Sequence, residues 1–411
     1  MAQLNITLSQ EEILLLMSQD REGAFKKLLQ ESLNLIMQAE SAEQLKAQPY
    51  ERSSDRVDSR NGSYTRELTT RIGTITLTVP RHRNVPFKTL VFDNYSTSEA
   101  ALITTMAEMV VNGVATRKVG KVMEDLCGRN FSKSTVSETC KELDKDVERF
   151  RNRLLTEEYP FVTVDATYFS VREDHKVIKK ALFIAYAVNS QGKRDILGFA
   201  SYPSETKETW KDFFQWLKNK GLSGVKMFVS DAHDGIRYGI SQVFPFVPWQ
   251  RCQHHFLKNI VQKVPLKYQK GLSSELTEMF NSKTVEEARR IKDEIINDYR
   301  DIAEEAMNCL DEGFEFSMTV MVLPEKLRKQ FRTSNHIERL NYELKRRSKA
   351  IGIFPNEASM LRLMGAVLME YNELIQSRKH LVFYQTTYAQ LMACSKKLEK
   401  LAEEHRGIMV A

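Results

Sequence analysis

Phe161-Val162-Thr163-Val164-Asp165 sets four apolar or β-branched residues in front of a carboxylate. Such a run predicts a short buried strand with an acid at its end. Val225-Lys226-Met227-Phe228-Val229-Ser230-Asp231 repeats the pattern and again stops on aspartate. Open α/β sheets gather their ligands outside the carboxyl ends of their strands, which makes Asp165 and Asp231 the first two candidate site residues.

The residues between the two runs say how they are joined. Residues 181–188 and 195–200 are further apolar runs, parted by the turn residues Asn189-Ser190-Gln191-Gly192, so three strands form an antiparallel meander. Thr209-Trp210-Lys211-Asp212-Phe213-Phe214-Gln215-Trp216-Leu217 is an amphipathic helix, and Gly221 and Gly224 lead from it into the second acidic strand. A meander, a crossover helix and a strand able to lie beside the first follow the order of a ribonuclease H-like sheet. In that order Asp165 and Asp231 converge from adjacent strands.

A third acid stands far downstream, in Asn335-His336-Ile337-Glu338-Arg339-Leu340. This is the start of a basic helix with Thr333, Ser334 or Asn335 as its cap. Two strand-end aspartates and a helical glutamate can hold two divalent cations against a phosphodiester. Glu343 is a rival to Glu338, but five residues turn it about 140° around the helix. Asp234 is a rival to Asp231 that sits in a turn and is suited to holding backbone amides.

The expected fold class is α/β: a ribonuclease H-like mixed-sheet domain interrupted by a helical insertion, with a mostly helical N-terminal region and a helical C-terminus. Residues 1–50 form an N-terminal helical segment, with a capping box at Ser9-Gln10-Glu11-Glu12 and the stripe Ile13, Leu14, Met17, Phe25, Leu28 and Leu29. Residues 51–98 hold a basic β-hairpin, turned at Ile72-Gly73. Residues 99–158 are helical, with Val119, Val122 and Leu126 on one face. After a turn at Cys127-Gly128-Arg129-Asn130-Phe131, a second helix buries Val136, Cys140, Leu143 and Val147. Residues 159–251 are the first part of the core, 252–330 the helical insertion and 331–355 the helix carrying Glu338. Residues 356–411 are a helical region with the stripe Leu361, Leu368, Tyr371 and Leu374.

Charge is unevenly spread. The whole chain carries 60 Lys+Arg against 54 Asp+Glu, a formal net charge of +6. Residues 60–90 have six basic side chains and one acidic, and residues 325–350 have nine and three. Clusters of this kind are footprints for a phosphate backbone. Arg66, Arg71, Arg81 and Arg83 fringe the hairpin, which suits a DNA groove and equally a solvated ribbon covering a domain. Lys133, Ser134 and Thr135 open the second helix of 99–158, an arrangement resembling a helix-turn-helix and also a plain helical hairpin. Arg332, Arg339, Arg346 and Arg347 flank Glu338.

Cys127, Cys140, Cys252, Cys309 and Cys394 form no dense framework, which points to a reducing intracellular compartment. Cys252 and His255 offer two zinc ligands where a structural site takes four, so no zinc is expected. The first residues lack the basic start and apolar core of a signal peptide. No stretch approaches about 18 uncharged apolar residues, so no membrane span is expected.

Val164-Asp165-Ala166-Thr167-Tyr168, Ser230-Asp231-Ala232-His233-Asp234-Gly235, Gln250-Arg251-Cys252-Gln253-His254-His255 and the segment from Arg332 to Arg347 occur in the order and context of one known family. Together they resemble the Mutator superfamily of transposases, and its bacterial insertion-sequence branch most closely. Spacings of 66 residues from Asp165 to Asp231 and 107 from Asp231 to Glu338 leave room for the insertion such transposases carry. The resemblance implies an Asp-Asp-Glu enzyme with two Mg²⁺ or Mn²⁺ ions on Asp165, Asp231 and Glu338. It further implies terminal inverted repeats and target DNA as partners, a homodimer or larger synaptic complex, and a cytoplasmic place at the bacterial nucleoid. Cys252 and His255 match a Cys–His pair that recurs near the family's active site. A DNA-binding relic, or a ribonuclease H-like nuclease without strand transfer, would share most of these features.

Overall fold

A computed structural model of the chain describes residues 21–51, 54–70, 73–89, 91, 100–127, 132–141, 143–349 and 351–410. The capping box at residues 9–12, the stripe at Ile13, Leu14 and Met17, Arg71, Ile72, the turn at 128–131 and the side chain of Lys133 lie outside them. Two compact units emerge, Met1–Glu142 and Leu143–Ala411. No helix among the described residues is long and apolar enough to cross a membrane.

In the first unit, helix α1 (Arg21–Leu45) packs on a two-stranded antiparallel ribbon of β1 (Arg60–Thr70) and β2 (Gly73–His82). Strand β2 alternates: Ile75, Leu77 and Val79 are buried with Met37 and Leu68, while Thr76 and Thr78 face out. The same unit holds α2 (Ala100–Val111), α3 (Thr116–Cys127) and α4 (Lys133–Cys140), closed around Met106, Val119, Met123 and Val136. Val122, expected on the buried face, is 37% exposed and Met123 takes its place, because helical neighbours of Val119 recur at i+4.

The second expected helix of this region is two. Helix α4 ends at Cys140, and Leu143 and Val147 belong to α5 (Leu143–Asn152), which falls in the second unit. There the buried guanidinium of Arg362 holds Asp144 with two hydrogen bonds of 2.6 and 2.8 Å. Tertiary partners, not periodicity, set that break.

The second unit is built on a five-stranded mixed sheet. Its strands are β3 (Phe161–Glu173), β4 (Lys176–Val188), β5 (Arg194–Tyr202), β6 (Met227–Ser230) and β7 (Trp249–Arg251), in the order β5-β4-β3-β6-β7. The first three are antiparallel neighbours; β3–β6 and β6–β7 are parallel. The expected meander and the strand beside the first are therefore present, with one correction. Strand β3 does not end at Asp165 but runs eight residues further, paired with β4 as a long hairpin. Its distal half, residues 166–173, alternates buried and more exposed positions instead of continuing the apolar run, and its turn puts Asp174 and His175 at positive φ without glycine. Only the pairing with β6 stops near the acid, at Thr163 opposite Val229.

Each face of the sheet is covered. Helices α6 (Lys207–Asn219) and α7 (Asp234–Val243) press Trp210, Phe213, Phe214, Ile236 and Ile240 onto Val162, Val164 and Phe228. At about 1.5–3 kcal/mol for each fully buried large apolar side chain, this layer anchors the sheet. The opposite face carries Phe161, Met227 and Val229 against the helices α8 (Gln253–Val261), α9 (Leu266–Phe280), α10 (Val285–Tyr299) and α11 (Glu304–Ser317). Beyond them come α12 (Glu325–Phe331), α13 (Asn335–Ser348), α14 (Glu357–Gln376), α15 (Gln385–Ala393) and α16 (Ser395–Val410). Leu374, expected in the core, is 54% exposed, since the buried face of α14 runs through Met364, Leu368 and Ile375.

Candidate active site

Side chains alternate across a strand, so Val164 enters the core below while Asp165 turns to the face that carries Phe161. The parallel register sets Phe161 opposite Met227 and Thr163 opposite Val229; continued two residues, it brings Asp165 level with Asp231. Asp231 follows β6 directly and precedes α7. Gly235 and Gly239 fix where that helix starts. A Cβ at Gly235 would stand 2.7 Å from the Thr206 carbonyl oxygen, and one at Gly239 2.8 Å from the Phe214 ring. Bare backbone lets α7 close onto α6, and the Asp231 loop is drawn with it.

Glu338 arrives on α13, which is held at both ends. At its start, the Ser334 N–H donates to the Cys252 sulfur at 3.3 Å, and Cys252 in turn donates its N–H to the Ser230 carbonyl at 2.8 Å. Past its end, Phe354 exchanges backbone hydrogen bonds of 2.9 Å with Ser170 and Arg172 on the distal half of β3.

The three acids are tied into one network. Asn341, one turn beyond Glu338 on α13, donates its amide to Asp165 at 2.6 Å, and the Ala166 N–H donates to the other oxygen at 2.8 Å. The Ser334 hydroxyl donates to Glu338 at 2.9 Å and lies 3.5 Å from Asp231. His255 sets Nδ1 2.5 Å from an Asp231 oxygen and 3.6 Å from Glu338. Burial, then the neighbouring Asp231 charge, pushes the Asp165 carboxyl up to about 7. Hydrogen bonding to Asp231 and then to Cys252 pushes His255 up to about 10. Like charges crowded at a desolvated place favour a cation, so the donor set fits hard divalent ions.

Two participants escape sequence reasoning, which offers Ser334 only as a cap and gives Asn341 no role, while His255 is placed near the site only through the family's Cys–His pair. Nothing local marks those two, since Asn341 reaches Asp165 across 176 positions and Ser334 reaches Cys252 across 82. Asp231, Cys252 and His255 also bring three donor atoms within 4.8 Å of one another, where spacing alone offered two. The rival acids are occupied elsewhere: Glu343 accepts from Arg346 at 2.8 and 2.9 Å, and Asp234 pairs with Arg237, which holds its carboxyl below the usual range.

The basic candidates divide between the two units. Arg66, Arg81, Arg83, Ser134 and Thr135 belong to the first unit; Arg81 lies over the Tyr64 ring at 4.8 Å. Ser134 and Thr135 are exposed in the first turn of α4, beneath its cap Ser132. In the second unit, Arg346 pairs with Glu343 and Arg347 with Glu370. Arg339 lines a groove with Tyr342 and Arg378, and Arg332 lines a separate cleft with Lys283 and Arg328.

The family profile described as Transposase, Mutator family, matches residues 1–377. The transposase of insertion sequence IS256 in transposon Tn4001 of Staphylococcus aureus is 40% identical over 389 residues, covering 93% of this chain and 100% of the relative. The transposase of ISRM5 from Rhizobium meliloti is 36% identical over 85% of the chain and 87% of its own length. That of IS1081 from Mycobacterium tuberculosis is 33% identical over 89% of each.

Proposed function

The chain belongs to the Mutator family of transposases, and on that premise we propose that it moves an insertion sequence by an Asp-Asp-Glu mechanism. It binds the terminal inverted repeats of its element, cuts the DNA there and joins the freed 3′-hydroxyl to target DNA. The sheet is read as ribonuclease H-like, a reading supported by the order β5-β4-β3-β6-β7 with three antiparallel strands followed by two parallel ones. The observation that carries the proposal is the network in which Asn341 engages Asp165 while Ser334 and His255 engage Asp231 and Glu338.

Asp165 and Asp231 would share one Mg²⁺ or Mn²⁺ and Glu338 would hold a second. Bound there, the ions would lower the pKa of the attacking water or hydroxyl and neutralise charge on the departing oxygen. The protein's own work is positional. Asn341 keeps one Asp165 oxygen oriented, Ser334 fixes the Glu338 rotamer, and the Cys252–Ser334 contact sets the height of α13 over the sheet. Arginines 66, 71, 81, 83, 332, 339, 346 and 347, with Lys133, Ser134 and Thr135, are the proposed DNA contacts. Joining two ends at once requires a homodimer or larger synaptic complex.

The test is cleavage and joining of labelled duplexes bearing the ends of the element. Wild type is expected to nick and join with Mg²⁺ and to stop in EDTA, while Asp231→Asn binds the ends without cutting. Cutting by Asp231→Asn would sink the assignment. Binding without cutting by both proteins would instead favour a DNA-binding relic.

A further inference from the structure

Beside the site, a cleft of about 620 Å³ opens between the end of α9, the start of α12 and Arg332. Four cations line it (Lys283, Arg328, Lys329 and Arg332) against one carboxylate, Glu325. Neutral acceptors orient the two arginines: Arg332 donates to the Asn281 side chain at 2.8 Å, and Arg328 to the carbonyls of Leu323 and Lys283 at 3.0 and 3.2 Å. Among the described residues, none of the four cations is paired with a carboxylate. Converging unneutralised cations repel one another, and a low-dielectric cleft focuses their field on whatever enters.

Two polar atoms in the same wall lack hydrogen-bond partners among the described residues. They are the hydroxyl of Ser282 and the Oε1 of Gln253, both buried. Gln253 is only 4% exposed, and its Nε2 already donates to the Ser317 carbonyl at 2.9 Å, which leaves Oε1 as an acceptor. The cleft thus offers four cationic donors for phosphate, over a wall that buries an unpaired hydroxyl and an unpaired amide oxygen. Four cations spread along one cleft suit the phosphates of a strand.

Its place along the chain is equally specific. The Gln253 N–H donates to the Arg332 carbonyl at 2.9 Å, so the cleft wall is stitched to the residue two ahead of Ser334. Two residues span at most about 7 Å. We infer that this cleft seats a phosphodiester of the DNA strand running through the active site, close to the bond that reacts. The inference rests on the transposase reading above and names a contact within it.

Lys283→Gln/Lys329→Gln removes two charges while leaving the arginine hydrogen bonds intact. Binding of end DNA by the full-length protein is measured from 50 to 300 mM salt. The slope of log K against log salt is expected to shrink by about 1 to 2, with roughly tenfold weaker binding near 0.1 M salt, whatever the sequence. Single methylphosphonates placed along the strand provide a second measurement, read first on wild type alone. One position should weaken wild-type binding several-fold, and that effect should be lost in the double variant. An unchanged slope, or no position dependent on the lysines, overturns the inference. So does a thermal shift with inorganic phosphate that the lysine variant loses while its DNA slope stays at the wild-type value, which would make the cleft a free-anion site. Wild-type cutting of the ends is scored in the same series. Cutting with an unaltered slope defeats only the cleft, whereas a wild type that binds no DNA defeats both readings.

Discussion

Ser334 serves the site twice: its amide is spent on the Cys252 sulfur and its hydroxyl on Glu338. Asn341 does for Asp165 what Ser334 does for Glu338. Groups that orient metal-binding carboxylates typically matter 10–100-fold in metal affinity or activity. Ser334→Ala and Asn341→Leu are therefore expected to cut at about 10–100-fold lower rate and to need more Mg²⁺ for half-maximal cleavage. A fall in rate with an unmoved Mg²⁺ requirement would refute the orienting role. On α16, His405 is 2% exposed, packs 4.8 Å from the Phe316 ring and bonds through neither ring nitrogen among the described residues. Burial alone holds its imidazole down to about 4. Unfolded, it titrates near 6.5, so between these values the unfolded chain takes up a proton that the folded chain refuses. This contribution is full above about pH 6.5 and is lost as the pH falls through 4, about 3 kcal/mol at the limit. His405→Phe is expected to melt with a smaller difference between pH 7 and pH 4.5 than wild type; an equal difference would disprove it. The gathering of Asp165, Asp231 and Glu338 is legible in sequence because strand runs and a basic helix announce their places. Ser334 and Asn341 are polar residues in ordinary helical settings, and only the assembled fold gives them a purpose.

Elements were legible where one period dominates and obscure where two environments share one element. The apolar first half of β3 is evident, whereas its second half alternates in burial and belongs to a hairpin that projects past the sheet and pairs with Phe354. Strand β7 has three residues and no pattern to detect. The pairing of α6 with α7 depends on an absence of side chain that periodicity cannot weigh. Gly235→Ala would force a methyl against the Thr206 carbonyl, backbone that cannot swing aside. Overpacking of this kind costs about 1–3 kcal/mol, and here the displaced helix begins three residues after Asp231. The variant is expected to lose about that much in urea unfolding and to cut DNA more slowly. Full stability with full activity would show that α7 can shift without cost.

Seen whole, the molecule divides at residue 142 into a unit with the ribbon and small helices and a unit with the acids. Limited proteolysis is expected to cut near that boundary and to release a resistant fragment beginning close to Leu143, because Asp144 and Val147 are fastened to α14. Preferential cleavage inside α5 would contradict this. The division also bears on timing. Asp165 and then Asp231 leave the ribosome long before Glu338, which follows Asp231 by 107 residues. At about 5–20 residues per second, that interval is roughly 5–20 s of translation. During it, α8 to α12 must be made before α13 can dock between Cys252 and β3. A polypeptide halted anywhere in that interval carries the ribbon and both aspartates but no third acid, so under the proposed mechanism a truncated product would occupy the ends of its element without cutting them.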